Sequence, residues 1–249
     1  MPARAIVRPP GDTYPSALTS IHPPPPVDMA LARAQHRAYV SALSECGLEI
    51  IELPPDPDHA DAVFVQDPIL VVHRLAIGLR SAAPSRRGEA DALLAIVRDH
   101  LPVAQLREPA TLDGGDVLLA DGRIYVGLSA RSNQAACDQL IALTGLPVQG
   151  VALPGGLLHL LSGCTYLGGG RLLVTSSLAP AFPEFEPVLV PDAEAPAANV
   201  LIVERHAVVP AGYARVAALV EACGFHVHPV DSSEFEKRDG GVTCRALLF

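Results

Sequence analysis

No apolar run in this sequence approaches the ~18 residues that a membrane-spanning helix requires, which sets aside a membrane partner reached through such a helix. The opening segment, Met1 to Pro10, lacks the long apolar core of a signal peptide, so the expectation is a soluble cytoplasmic protein. Tryptophan is absent, and no basic run with interleaved aromatics occurs. A net charge of −9 argues further against a nucleic-acid backbone as partner. It is compatible with a cationic small molecule, although solubility alone accounts for it. The five cysteines (Cys46, Cys137, Cys164, Cys223 and Cys244) include no pair at the short spacing of a zinc knuckle or a thioredoxin motif. Reduced thiols fit that set best. Low-complexity sequence is missing too: proline and glycine are frequent but spread out as punctuation between short elements.

What is present is a repeat. At 249 residues, nearly half of them apolar, the chain can build one large domain or two small ones. Residues 63–107 read as a strand (63–72), a turn at His73-Arg74, a strand (75–79), a helix (86–99) and a strand (103–107). Residues 116–153 repeat the order: strand 116–120, turn Asp121-Gly122, strand 123–128, helix 131–143, strand 148–153. A third unit has strand 157–167, turn Gly168-Gly169-Gly170, strand 171–176, a short helix near 179–185 and strand 187–190. A fourth has strand 199–204, turn Arg205-His206, strand 207–209, helix 213–223 and strand 226–230. Each unit is a hairpin, a helix and a return strand, at a period of roughly 35–45 residues. The C-terminal run 244–249 and the N-terminal strand 4–8, helix 27–44 and strand 49–53 complete a fifth unit when joined. A repeat closed by pairing its own termini leaves no open edge. The expectation is therefore an α/β fold, a five-bladed pseudo-symmetric β/α propeller, forming a single domain over residues 1–249. An open doubly wound sheet is the competing architecture, but it has one strand per helix, whereas these units read as three. The run His22 to Pro26 falls between the first strand and the first helix, as a surface spacer or a lid.

The start of the first strand of each unit carries polar or ionisable residues. These are Gln66-Asp67, Asp113-Gly114-Gly115-Asp116, His159, Asn199 and Cys244. If the units superimpose, all of them line one axial cavity. Cysteine, histidine and carboxylates converging there supply a nucleophile, a proton-transfer partner and cation-binding groups. Each residue alone has a plainer reading: Asp113 as a turn residue, His159 as a satisfied core histidine, Asn199 as a cap, Cys244 as a small buried hydrophobe. The two glycines ahead of Cys244 permit a close or left-handed backbone approach.

Over almost the whole chain runs an ordered set of segments: Leu18-Thr19-Ser20, Phe64 to Pro68, Ser85 to Glu89, Leu112 to Leu118, Tyr125 to Asn133, Leu158-His159-Leu160, Ala197 to Asn199 and Gly240 to Cys244. Taken together, that set resembles the dimethylarginine dimethylaminohydrolases of the guanidino-group-modifying (pentein) superfamily. The resemblance implies hydrolysis of Nω-methylated arginine to citrulline and an amine, without metal or organic cofactor. It implies Cys244 as nucleophile, His159 as general acid and base, and Asp113 as the group that orients the histidine. Asp67 would hold the substrate guanidinium and Asp61 its α-ammonium group. Arg86 and Arg131 would grip its α-carboxylate, a task suited to the two-donor fork of guanidinium. Leu18 would belong to a flexible lid. One position departs: the family usually has Glu where Gln66 stands, which removes a negative charge beside the guanidinium and leaves room for altered substrate preference.

Other chemistry competes. Cys164 follows His159 on one apolar stretch and reads as packing, as do Cys46 and Cys223 late in their helices. His226 and His228 share one face of a strand, a weak zinc signal without a third ligand. The Arg86-Arg87 pair opens a helix, against its dipole, which suits a ligand contact or a solvated end. The alternative functions are an arginine deiminase-like hydrolase of another guanidino amino acid and a non-catalytic pentein binding protein. The expected partner is a small guanidino amino acid, with no nucleic acid; the oligomeric state, a homodimer included, stays open.

Overall fold

The computed structural model describes residues 4–249, so Met1–Ala3, the start of the segment read for a leader, lie outside the described residues. Along the chain run β1 (Arg4–Val7), α1 (Met29–Glu45), β2 (Glu49–Glu52), β3 (Ile69–Val72), β4 (Leu75–Gly78), α2 (Glu89–Val97) and β5 (Val103–Gln105). Then come β6 (Val117–Ala120), β7 (Arg123–Leu128), α3 (Gln134–Thr144), β8 (Val148–Ala152), β9 (Cys164–Gly168), β10 (Arg171–Thr175) and β11 (Glu186–Val190). The last are β12 (Leu201–Val203), β13 (His206–Pro210), α4 (Ala214–Ala222), β14 (His226–Val230), α5 (Ser233–Glu236) and β15 (Leu247–Leu248).

Every sheet has the same plan, an antiparallel hairpin followed by a parallel return strand. The triplets are β3-β4-β5, β6-β7-β8, β9-β10-β11 and β12-β13-β14. The remaining triplet is β15-β1-β2, in which β15 pairs antiparallel with β1 through Ala5↔Leu248 and Ile6↔Leu247. The termini pair as the repeat requires. Left-handed residues make the tight hairpins twist with their strands: His73, Asp121 and Glu204 have φ of 54°, 47° and 53°.

The chain divides into two compact units, residues up to Val65 with Asn199–Phe249, and Gln66–Ala198. In the first, α1 buries Tyr39, Ala42 and Leu43 against β1, β12, β13 and Val242. Asp28 caps that helix by accepting from the Leu31 amide at 3.0 Å. In the second, α3 packs Ala136, Cys137 and Leu140 against β3, β4, β6 and β7, and Asn133 caps it through the Ala136 amide at 3.2 Å. Among the described residues no helix is long and apolar enough to cross a membrane.

Several boundaries differ from the sequence reading, and the starts of the first strands all differ in one direction. The first strand of each unit starts later than expected: at Ile69 rather than 63, Cys164 rather than 157, Leu201 rather than 199, and Leu247 rather than 244. The preceding apolar residues lie in 3₁₀ turns such as Gly114–Asp116, Leu160–Ser162 and Thr243–Arg245. Burial made them look like strand, but their backbone groups are satisfied locally, as by Asp116 N–H to Asp113 O at 3.0 Å. Arg86 ends a short 3₁₀ turn (Pro84–Arg86), and Gly88 separates it from α2, so the Arg pair does not open the helix. The short helix expected near 179–185 is a 3₁₀ turn at Ala179–Ala181. The fourth hairpin turns at Glu204-Arg205, one residue early, which places His206 on the strand.

Candidate active site

In the Gln66–Ala198 unit the candidate residues sit in the turns that precede β3, β6 and β9. Asp67 is buried two residues before β3. Its Oδ1 accepts from the Gly115 amide at 3.0 Å and its Oδ2 from Arg86 Nη1 at 2.6 Å. The same guanidinium donates to Glu89, from Nη2 to Oε2 at 2.8 Å and from Nε at 3.1 and 3.2 Å. Burial disfavours the Arg86 charge, but Asp67 and Glu89 outweigh it and hold its pKa well above the usual value.

His159 stands just before the 160–162 turn with Nε2 3.5 Å from Asp113 Oδ2. Burial opposes the imidazolium; Asp113, Asp67 and Asp116 overcome it and raise the pKa of His159. Burial also pushes the Asp113 carboxyl up, but His159 and Arg86 prevail and keep it below the ordinary range. Arg131 Nη1 reaches Asp113 Oδ2 at 3.3 Å. Gly115 is required at its place: a Cβ there would stand 2.7 Å from His159 Nδ1 and 3.2 Å from Asp67 Oδ1. The Gln66 side chain lies over Gly114, and its Oε1 is buried with no hydrogen-bond partner. A cavity of about 200 Å³ is lined by Asp67, Arg86, Glu89 and Asp113 among others.

One group in this unit escaped the sequence reading: Glu89, which anchors Arg86 from the first turn of α2. Asp116, expected with Asp113 to line a cavity, is instead fully buried and ties three segments, accepting from Ser129 Oγ at 2.6 Å, Ser132 Oγ at 2.6 Å and the Leu160 amide at 3.0 Å. The signal for that structural role was Ser129 and Ser132 ahead of the next helix.

In the other unit Cys244 lies in the Thr243–Arg245 turn, 8% exposed, packed in a cluster with Tyr14, Phe64 and Phe235. Asn199 holds that turn from both sides, donating from Nδ2 to Thr243 Oγ1 at 2.8 Å and accepting from the Thr243 amide at 3.0 Å. Gly241 allows this approach, since a Cβ would stand 2.3 Å from Asn199 Oδ1. Gly240 and Gly241 thus serve close packing, with neither in the left-handed region. Arg245, beside Cys244, is fully buried between the rings of Tyr39 and Phe235, 4.0 and 4.3 Å from their centroids, and donates to Ser232 Oγ at 2.8 Å. Its position was not read from sequence, because both aromatic partners lie far away in the chain or on an unforeseen helix. Leu18 is 37% exposed, and its amide donates to buried Asp61 Oδ1 at 3.1 Å. Ser20 bonds Asp239 through its amide and hydroxyl. The segment from Leu18 to Ser20 is therefore tied to Asp61 and to the turn that leads to Cys244. All five cysteines are thiols. The rival Cys164 is fully buried and its pKa is pushed strongly up by burial, which suits packing and not nucleophilic attack.

A family model described as N,N dimethylarginine dimethylhydrolase, eukaryotic, matches residues 26–153. The chain is 38% identical over 251 residues to the N(G),N(G)-dimethylarginine dimethylaminohydrolase of Pseudomonas aeruginosa, covering 98% of each. It is also 38% identical over 254 residues to the enzyme of that name from Streptomyces coelicolor, covering 99% of this chain and 97% of the relative. The structure of the P. aeruginosa protein as a Cys-to-Ser mutant complexed with citrulline matches with a TM-score of 0.95 at 37% identity, over 100% of both chains. Five sheets of one repeated plan and this likeness place the fold in the α/β, five-bladed pentein class. By likeness over nearly its whole length, the chain belongs to the dimethylarginine dimethylaminohydrolase family.

Proposed function

We propose that this protein is a C–N hydrolase that converts Nω-methylated arginine, asymmetric dimethylarginine or monomethylarginine, to citrulline and dimethylamine or methylamine. Family membership supports the reaction class. The observation that carries the substrate class is the Asp67 carboxylate, which already accepts a guanidinium, that of Arg86, at 2.6 Å beside the His159–Asp113 pair. A substrate guanidinium meets the same acceptor. Arg86 is then displaced from Asp67 and, with Arg131, is available to the substrate α-carboxylate, while Asp61 takes the α-ammonium group and Leu18 covers the ligand.

Cys244 is the nucleophile in this proposal. Holding the guanidinium as its cation keeps the carbon as electrophilic as it can be, and an adjacent positive charge favours the thiolate. The thiolate adds to the guanidino carbon. The bond from that carbon to the methylated nitrogen breaks as His159 gives its proton to the leaving amine. The raised pKa of His159 keeps that proton in place. An S-alkylthiouronium remains on Cys244. His159 then takes a proton from water, hydroxide adds to the carbon, and the C–S bond breaks to release the ureido product and the thiolate. Asp113 orients the imidazole and balances its charge. No metal or organic cofactor takes part in these steps, and residues 1–249 act as one catalytic domain. A cytoplasmic site of action fits five unbridged thiols, one of them the nucleophile.

The test is ureido product formation from asymmetric dimethylarginine, monomethylarginine, arginine and agmatine, offered side by side. Product from the methylated arginines, lost in Cys244→Ser while the far-ultraviolet dichroism is unchanged, is the expected result. Full turnover by Cys244→Ser overturns the mechanism. Equal turnover of agmatine overturns the α-carboxylate contacts, and arginine as the preferred substrate moves the assignment to a deiminase-like hydrolase.

A further inference from the structure

In the unit that contains both chain termini, Cys46, His206 and His228 bring one ligand atom each to within 4.8 Å of one another. None of the three has a part in the proposed hydrolysis. They sit on regular elements. Cys46 follows the last residue of α1, and its amide closes that helix onto Ala42 O at 3.0 Å. His206 opens β13, and His228 lies at the middle of the parallel neighbour β14, in register with Val208. His206 Nδ1 is 2.9 Å from His228 Nε2. The other nitrogen of His228, Nδ1, faces Glu45 Oε2 at 3.5 Å. Cys46 is buried and the two imidazoles are half-buried.

We propose that Cys46 Sγ, His206 Nδ1 and His228 Nε2 bind a divalent zinc-type ion, with Glu45 orienting His228 from behind. One thiolate with two imidazoles is a borderline-soft donor set that suits zinc and its spectroscopic substitute cobalt. A tetrahedral ion with metal–nitrogen bonds of about 2.0–2.1 Å separates two imidazole nitrogens by about 3.3 Å. The pair at 2.9 Å therefore needs to open by only ~0.4 Å for that geometry. The carboxylate behind His228 completes the carboxylate–histidine–metal arrangement that fixes tautomer and ring direction. The C-terminus of α1 adds the negative end of its dipole. Binding exchanges the thiol proton of Cys46 for the metal–sulfur bond and releases that proton to solvent. Three protein donors leave a fourth position for water.

The experiment uses the full-length chain carrying Cys244→Ser, so that the proposed nucleophile cannot contribute sulfur. After removal of metal by a chelator, cobalt(II) is titrated and followed by absorption. The expected result is one equivalent bound, with thiolate-to-cobalt charge-transfer absorption and the strong visible bands of a tetrahedral site, both abolished by stoichiometric zinc. Adding Cys46→Ser removes the charge-transfer absorption, and His206→Asn weakens binding at least tenfold. Glu45→Gln weakens it about 10–100-fold without altering the ligand count. If Cys46→Ser does not fold, as judged by thermal melting, the half-buried His206→Asn protein carries the comparison. No thiolate band at one equivalent, or a spectrum indifferent to His206→Asn, overturns the proposal.

Discussion

Replacing Asp116 with Ala should cost more stability than any loss of a surface charge, and replacing it with Asn should cost far less. Asp116 is fully buried and accepts from two serine hydroxyls and the Leu160 amide. Hydrogen bonds to a charged acceptor contribute about 1.5–3 kcal/mol each, but the three do not add. In Asp116→Ala the hydroxyls of Ser129 and Ser132 can rotate, whereas the amide of Leu160 cannot. Leaving that buried amide unsatisfied costs about 1–3 kcal/mol, and the lost hydroxyl bonds add about 1 kcal/mol, so about 2–4 kcal/mol is expected. For a chain of this size that lowers the melting temperature by roughly 4–16 °C. Asp116→Asn keeps an oxygen for the Leu160 amide, and the hydroxyls can turn to accept from the new amide, so about 1 kcal/mol is expected. Urea unfolding followed by circular dichroism measures both. Leu160 follows His159, so the Ala protein should also lose kcat with KM nearly kept. A cost below about 1 kcal/mol for Asp116→Ala, or equal costs for Ala and Asn, refutes the reasoning.

The same residue gives a pH test with a fixed sign. Burial raises the Asp116 pKa in spite of its hydroxyl and amide donors. A raised folded pKa contributes stability that is present below the unfolded value of about 3.9 and lost as pH rises through the folded value. The stability of the wild type relative to Asp116→Asn should therefore fall as pH rises from acid toward neutrality. A gap that widens instead contradicts the assigned direction.

Two further outcomes follow from the His159 surroundings. Asp113→Asn removes a carboxylate that raises the His159 pKa, so the alkaline limb of the kcat–pH profile should move to lower pH; an unmoved limb would show that His159 is not the acid for the leaving amine. By the same linkage, His159 contributes stability below about 6.5 that is lost as pH rises through its raised folded pKa. Gly115→Ala forces a Cβ to 2.7 Å from His159 Nδ1, and such overpacking should cost about 1–3 kcal/mol in urea unfolding, with turnover reduced at least tenfold; wild-type kcat in that variant would show that the imidazole is not held there during the reaction.

Hairpin, helix and return strand were legible because each is a local pattern. Asp121-Gly122 and the Gly168–Gly170 run announce their turns, and the apolar faces of α1 and α3 follow helical spacing. The closing pair β15–β1 followed from counting: four complete units left two fragments that make a fifth. The strand starts were not legible. Val63, Phe64, Leu160 and Cys244 are as buried as strand residues, and hydropathy cannot distinguish a core turn from a core strand. What separates them is where the backbone bonds go, as when the Gly114 amide reaches Asp67 O at 2.9 Å. Side-chain ties between distant residues were invisible for the same reason. Arg245 between Tyr39 and Phe235 has no periodic signature, and the alternation of His226 and His228 gave no sign that His228 gathers instead with His206 of β13 and Cys46 at the end of α1.

The position of Arg86 changes how Gln66 should be understood. Asp67, Glu89, Asp113 and Asp116 are all buried in one unit, and their cationic company is Arg86, Arg131 and His159. A buried carboxylate needs a partner or it takes up a proton. Arg86 satisfies two of the four at once, through Asp67 and Glu89. If a substrate guanidinium is to replace Arg86 on Asp67, Glu89 must keep Arg86 neutralised as it moves, and the exchange trades one guanidinium for another without stranding charge. A fifth carboxylate at position 66 would enlarge the acidic excess that attracts a cation and would also strengthen the hold on Arg86. Gln66 lowers both. Its effect on substrate affinity is therefore the difference between two attractions and not the loss of one, so the neutral residue is compatible with retained binding of a cationic guanidine.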